Sequence, residues 1–301
     1  MRELRSLTGK LPQGNDMNYR QVSIPAYDDI NLYAQIWNPG SEVRAVLVVV
    51  HGGFEHSGRY AHVAAFFTGR QFAVYACDLR GHGRSEGVRA HIEKFDDFLH
   101  DMDVFLAYVR NDFPDKDVFI LAHSAGALIT LAYLLARGRA GVKGVVFSAP
   151  ALKVYNIDSA VTRVAVHLVA LISPDVKFPL LDARFLSHDA GVVEAYRRDV
   201  LVHKEGVTAR VVSELLQAMR RVRRKFRQVD FPLLILHGTR DRFADIRASR
   251  HLYRAARSAD KSIRYYGGLF HELLQEPEKE QILGEIYEWI NKRICGKMKT
   301  V

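Results

Sequence analysis

Three residues suited to acyl transfer occur in the order Ser124, Asp241, His271, each after a short apolar run. Ser124 lies in Ala122-His123-Ser124-Ala125-Gly126, after Val118 to Leu121 and ahead of a helix-like stretch. A serine at such a strand-to-helix apex has its hydroxyl exposed at a helix N-terminus, where a nucleophile can work. The usual pattern is Gly-x-Ser-x-Gly; Ala122 replaces the first glycine, at a position that must be small because strand and helix pass close by. The bland alternative is a helix N-cap serine. His271 follows Tyr265-Tyr266-Gly267-Gly268-Leu269-Phe270, on a loop after the last apolar run. Histidine suits general-base work because its ordinary pKa lies near neutrality. Asp241 follows Leu233 to Leu236 and His237-Gly238-Thr239-Arg240. An acid there can accept the second ring N–H of His271 and fix its tautomer. Asp245 is a rival, although four residues further on it reads as a helix-start acid.

An oxyanion formed on a substrate needs backbone donors. One is the N–H of Ala125; the other comes from the loop His51-Gly52-Gly53-Phe54-Glu55-His56, whose glycines allow close approach. Gly53 is assigned this role, with Phe54 as the neighbouring alternative. His51 and His56 have no third ligand at matching spacing, so no metal is expected, and no cofactor. Asp78, in the glycine-dense Asp78-Leu79-Arg80-Gly81-His82-Gly83, reads as a turn residue.

These residues must be held by strand ends. Ala45 to Val50, Phe72 to Cys77, Val118 to Ala122, Val142 to Ser148 and Leu233 to Leu236 are continuous apolar runs, with Ser262 to Tyr266 a weaker sixth. Such runs mark strands buried on both faces, as in a parallel sheet. Phe95 to Val109 and Ala127 to Leu135 have helical period. The alternation predicts an α/β doubly wound, mostly parallel sheet, with ligands at the strands' carboxyl ends. Val22 to Ile24 and Leu32 to Trp37, around Tyr27-Asp28-Asp29, predict an N-terminal antiparallel hairpin. The interval 151–230 is too long for a crossover and predicts an inserted helical cap, with 1–150 and 231–301 forming the core. Within it Val161, Val164, Ala165, Leu168, Val169 and Ile172 share one helical face, with Val166 and Leu171 apolar off that stripe. The plain expectation is a helix packed against the main domain; the alternative is a lid whose spare apolar face meets acyl chains or lipid.

Composition narrows the class. Of the 301 residues 48% are apolar and 26% charged, which excludes a disordered chain. Cys77 and Cys295 cannot make a disulfide framework, which suits a reducing, cytoplasmic compartment. Met1 to Asn18 lacks an apolar stretch before a small-residue cleavage site, so no signal peptide is expected, and no run suffices for a membrane span. The net charge of +9 alone does not choose a partner. The interval 151–230 carries fourteen Lys and Arg against nine Asp and Glu, including Arg220, Arg221, Arg223, Arg224, Lys225 and Arg227. That run reads as a solvated helix face, or as attraction of the cap to an anionic membrane surface. No nucleic-acid-binding motif is present.

His51-Gly52-Gly53-Phe54-Glu55-His56-Ser57-Gly58-Arg59-Tyr60, Asp78 to Gly87, the serine turn, Asp241-Arg242 and His271-Glu272 together resemble the monoacylglycerol lipase group of α/β-hydrolases, also called lysophospholipases or serine aminopeptidase-like hydrolases. The likeness runs from the hairpin to the final helix and includes Phe185 to Asp189 and Ala195 to Asp199. It implies Ser124 as nucleophile, Asp241 as acid and His271 as base, with Gly53 and Ala125 as the oxyanion hole. It also implies that Glu55, Arg59, His123 and Tyr196 lie near the polar end of the pocket, where the family holds glycerol. Two departures stand out: Ala-His-Ser-Ala-Gly-Ala replaces the usual Gly-His-Ser-Met-Gly-Gly, and Phe54 replaces a glycine. The expectation is a serine esterase cleaving monoacylglycerols or similar single-chain esters, cytoplasmic and with peripheral membrane contact through the cap. A lysophospholipase or generic carboxylesterase is the alternative within enzymes, and a non-catalytic binding module the alternative outside them.

Overall fold

A computed structural model describes residues 6–7, 18–139, 141–155, 159–179 and 182–294. Most of the N-terminal segment read for targeting, and Cys295, lie outside the described residues. Eleven strands occur among the described residues: β1 (Ser6–Leu7), β2 (Asn18–Pro25), β3 (Asn31–Asn38), β4 (Ala45–Val50), β5 (Phe72–Cys77), β6 (Val118–His123), β7 (Val142–Ser148), β8 (Lys177–Phe178), β9 (Val207–Thr208), β10 (Leu233–Gly238) and β11 (Lys261–Tyr266). The helices are α1 (Ala61–Thr68), α2 (Asp96–Asp112), α3 (Ser124–Arg137), α4 (Ala160–Ile172), α5 (Ala190–Arg198), α6 (Ala209–Arg224), α7 (Ile246–Ala255) and α8 (Lys279–Asn291).

Nine strands form one sheet in the order β1-β2-β3-β5-β4-β6-β7-β10-β11. From β5 onward neighbours are parallel; β1, β2 and β3 pair antiparallel, and β3 runs antiparallel to β5. The β2–β3 turn closes with Ala26 N–H donating to the Ile30 carbonyl at 2.8 Å. The period of two along β4 divides the core. Val46, Val48 and Val50 join one buried cluster with side chains of α2, α3 and α7; Ala45, Leu47 and Val49 join another with those of α1 and α8. Each fully buried aliphatic side chain contributes roughly 1.5–3 kcal/mol. Continuous apolar strands are therefore what a sheet covered on both faces requires.

Between β7 and β10 the chain leaves the sheet and forms α4, α5, α6 and the two-stranded β8–β9 ribbon. α4 lies against α6, with His167 Nδ1 3.1 Å from Ser213 Oγ. The apolar stripe expected to pack inward faces outward. Val161 is 81% exposed and Ile172 82%, and Val164, Leu168 and Leu171 are exposed too. The buried positions are Val166 and Ala170, one turn apart. A small Ala at the buried position allows close helix approach. The basic run falls at the C-terminal end of α6, where the helix dipole favours cations. Arg221 Nη2 is 3.5 Å from Asp96 Oδ1 and Arg223 donates to the Leu152 carbonyl at 2.7 Å; Arg220, Arg221, Arg224, Lys225 and Arg227 are exposed. Among the described residues no helix is long and apolar enough to cross a membrane.

Candidate active site

Ser124 opens α3 directly after β6, with φ +49°. A non-glycine residue in this left-handed region is strained. What forces it is the closeness of the turn to β4. A Cβ on Gly126 would lie 2.4 Å from the His51 carbonyl oxygen and 2.5 Å from that of Val50, so glycine is required there. The strained turn points the hydroxyl away from the sheet and toward the loop after β11.

That loop carries His271, whose Nε2 lies 2.9 Å from Ser124 Oγ and whose Nδ1 lies 2.8 Å from Asp241 Oδ2. Asp241, on the loop after β10, is fully held. Its Oδ1 accepts from Phe243 N–H at 2.7 Å and Ala244 N–H at 3.0 Å. Its Oδ2 lies 3.2 Å from His237 Nε2. Burial opposes the carboxylate, but His271 and His237 beside it keep its pKa below the usual range. Burial likewise opposes the His271 cation, yet Asp241 prevails and raises the imidazole pKa. His237 is a participant that sequence reading missed: its Nδ1 meets Ser249 Oγ at 2.8 Å, which fixes the ring against Asp241. The rival Asp245 is turned elsewhere. It caps α7, pairing with Arg247 at 2.7 Å and Lys153 at 3.2 Å.

The loop after β4 faces the serine from the other side. Gly52 N–H is taken by Glu55 Oε1 at 2.7 Å. Gly53 comes next to Ala125: a Cβ on Gly53 would lie 3.8 Å from the Ala125 Cβ. Ala125 is in the first turn of α3, where backbone N–H groups have no helical partner. Phe54 adopts φ +69° and its carbonyl accepts from His203 N–H at 2.9 Å.

These residues line a cavity of about 160 Å³. Ser124, His271, Gly53, Ala125, Phe54, Glu55, His123 and Tyr196 all border it, and Leu215 and Met219 of α6 with Phe243 supply an apolar wall. Arg59 does not border it. Its guanidinium is engaged behind the wall, bonding Glu272 at 2.6 Å twice and Glu55 at 2.7 Å, and lying 4.9 Å from the Tyr196 ring centre. Burial opposes the Glu55 charge; Arg59, His123 and His51 overcome it and hold Glu55 down to about 2. Burial and the neighbouring His271 push His123 down to about 3, so that imidazole is neutral. Glu272, adjacent in chain to His271, also lines the cavity. The helix chosen from its apolar stripe, α4, contributes nothing to the wall; α6 does.

Two further contacts join the inserted segment to this site. His56 Nε2 meets Asp199 Oδ2 at 2.9 Å. Buried Glu276 accepts from Ser187 Oγ, His188 N–H and Phe270 N–H at 2.7–2.9 Å, linking residues before α5 to the His271 loop. His51 is occupied structurally: Nε2 accepts from Leu79 N–H at 2.9 Å, leaving Nδ1 to donate to the Gly52 carbonyl at 2.7 Å. Asp78 accepts from Ser57 N–H and Arg84 N–H at 2.7 and 2.8 Å, as a turn residue would. Among the described residues no three His, Cys, Asp or Glu side chains group as metal ligands.

Comparison with known proteins matches residues 41–278 to the serine aminopeptidase S33 family. A monoacylglycerol lipase of Mycolicibacterium smegmatis is 33% identical over 87% of this chain and 93% of its own. The human monoglyceride lipase is 34% identical over 87% of each. The crystal structure of the Paleococcus ferrophilus monoacylglycerol lipase superposes with a TM-score of 0.77 at 29% identity, covering 87% of this chain and 99% of that one.

Proposed function

The chain belongs to the serine aminopeptidase S33 family and is a serine ester hydrolase of the α/β-hydrolase fold, and we propose that it cleaves monoacylglycerols or similar single-chain esters through an acyl-enzyme. The relay from Ser124 through His271 to Asp241, at 2.9 and 2.8 Å, carries this reading. Ser124 Oγ attacks the ester carbonyl as His271 Nε2 takes its proton. Asp241 holds the Nδ1–H and stabilises the imidazolium. The N–H groups of Gly53 and Ala125 receive the oxyanion, a contribution of roughly a hundred- to a thousandfold in rate per donor. His271 then protonates the leaving alcohol, and water, deprotonated by the same imidazole, releases the acid.

The substrate class is supported by the wall chemistry. The cavity has an apolar side at Leu215, Met219 and Phe243 for a chain and a polar side at Glu55, His123, Tyr196 and Glu272 for an alcohol with hydroxyls. Arg59 then acts from behind, by fixing both carboxylates. The segment 151–230 is proposed as a cap over the site. Its outward α4 face and the exposed cations at the end of α6 suit peripheral contact with an anionic lipid surface. A lysophospholipase would meet the same cavity with a phosphate headgroup, for which Glu55 and Glu272 are poor neighbours.

The test is a panel of monoacylglycerols, lysophospholipids and p-nitrophenyl esters with wild type and Ser124→Ala, alongside fluorophosphonate labelling. Wild type is expected to label and to turn over monoacylglycerols; Ser124→Ala should do neither. Equal labelling of the two proteins would remove the nucleophile assignment. Turnover of short p-nitrophenyl esters alone would remove the lipid substrate.

A further inference from the structure

We propose that Phe54 excludes acyl groups branched next to the carbonyl, by plugging a second apolar cavity beside the oxyanion loop; this rests on the ester-hydrolase reading above. The first observation is the backbone. Phe54 holds φ +69°, a conformation that glycine adopts freely and phenylalanine does not. Strain of this kind persists where the surroundings impose it and the side chain has a use. Here the His203 N–H fixes the Phe54 carbonyl, and the ring lies 6.0 Å from the His203 ring and 6.2 Å from that of His82.

The second observation is the space. A separate cavity of about 30 Å³, roughly the room of a methyl group, adjoins the catalytic one. Ile92, Phe98, Ile129 and Val211 are among its apolar walls, with the His82 ring at one side. Burial, with His51 nearby, holds His82 down to about 3, so that wall is uncharged. Phe54 lines both cavities, and so do Gly53, Ala125 and Leu215. A carbonyl oxygen held by those two N–H groups places the acyl α-carbon one bond from the carbonyl carbon. A substituent on the α-carbon therefore meets the Phe54 ring before any other part of the acyl chain does. An unbranched chain avoids it and follows the wall of Met219 and Phe243, which border the catalytic cavity and not the second one. The ligand class for the blocked space is apolar: apart from the His82 and His91 rings its lining side chains are aliphatic or aromatic, and no Asp, Glu, Lys or Arg borders it.

The experiment compares kcat/KM for p-nitrophenyl butyrate and p-nitrophenyl 2-methylbutyrate. Wild type should prefer the linear ester. Phe54→Gly, which removes both ring and strain, should raise the branched-to-linear ratio about tenfold or more, the range that one carbon commands in an apolar pocket. Phe54→Leu should fall between and decides the matter if the glycine variant misfolds. Adding Val211→Phe to Phe54→Gly refills the space from the opposite wall and should return the ratio toward wild type. Fluorophosphonate titration counts the competent sites in each preparation. An unchanged ratio in correctly folded variants overturns the role of Phe54. Turnover of neither ester by wild type overturns instead the hydrolase reading beneath it.

Discussion

At the scale of residues, the site is a set of protonation states fixed by neighbours. In the proposed mechanism His271 must be neutral to accept the serine proton, and Asp241 raises its pKa above the ordinary 6.5. Activity is therefore expected to rise with pH through that raised value and to fall as acid protonates the ring. Asp241→Asn should lower kcat by about 10⁴-fold, because the amide no longer holds the correct tautomer. It should also move the acid limb of the kcat/KM profile to lower pH, since burial alone favours the neutral ring; a pH–rate profile of both proteins checks the direction. The placing of Ser124 and Asp241 on loops after strands was legible in sequence because each follows a continuous apolar run; His271 follows β11, a half-exposed strand with a weaker pattern. The Glu55–Arg59–Glu272 cluster was not, in its geometry: Arg59 and Glu272 are 213 positions apart, and no local pattern says they meet. Nor could spacing show that Arg59 would spend its donors behind the wall.

At the scale of elements, periodicity proved a reliable guide to the existence of helices and a poor one to their orientation. The central strands β4, β5, β6, β7 and β10 were legible because burial on both faces demands a nearly uninterrupted apolar run. In α4, which lies against α6, Val166 and Ala170 are the buried positions, and the longer apolar stripe stays exposed. Replacing Val161, Leu168 and Ile172 together by serine is expected to leave the free energy of unfolding in urea within about 0.5 kcal/mol per site, because these side chains have little to lose on the surface. The same variant should sediment several-fold less with phosphatidylglycerol-containing vesicles. Undiminished sedimentation would mean that α4 is not the lipid-facing element.

At the scale of the whole molecule, the charge of +9 has a partial address. Arg221 pairs with Asp96 at the surface and Arg223 bonds the Leu152 carbonyl, and Arg220, Arg224, Lys225 and Arg227 are exposed near the end of α6 as well. If these cations draw the protein to anionic surfaces at about 1 kcal/mol each, binding should weaken steeply between low and high salt as the Debye length shrinks. Sedimentation with anionic and with zwitterionic vesicles across a salt series measures this; binding indifferent to both salt and lipid charge would contradict it. The fold also divides its chemistry along the chain. β7 and β10 lie side by side, yet the whole inserted segment separates them, with Ser124 before it and Asp241 and His271 after. A chain severed within that segment would yield two pieces, each holding an incomplete relay. Catalysis by the mixture would then be a direct report of fragment reassociation, which makes this architecture a natural split reporter.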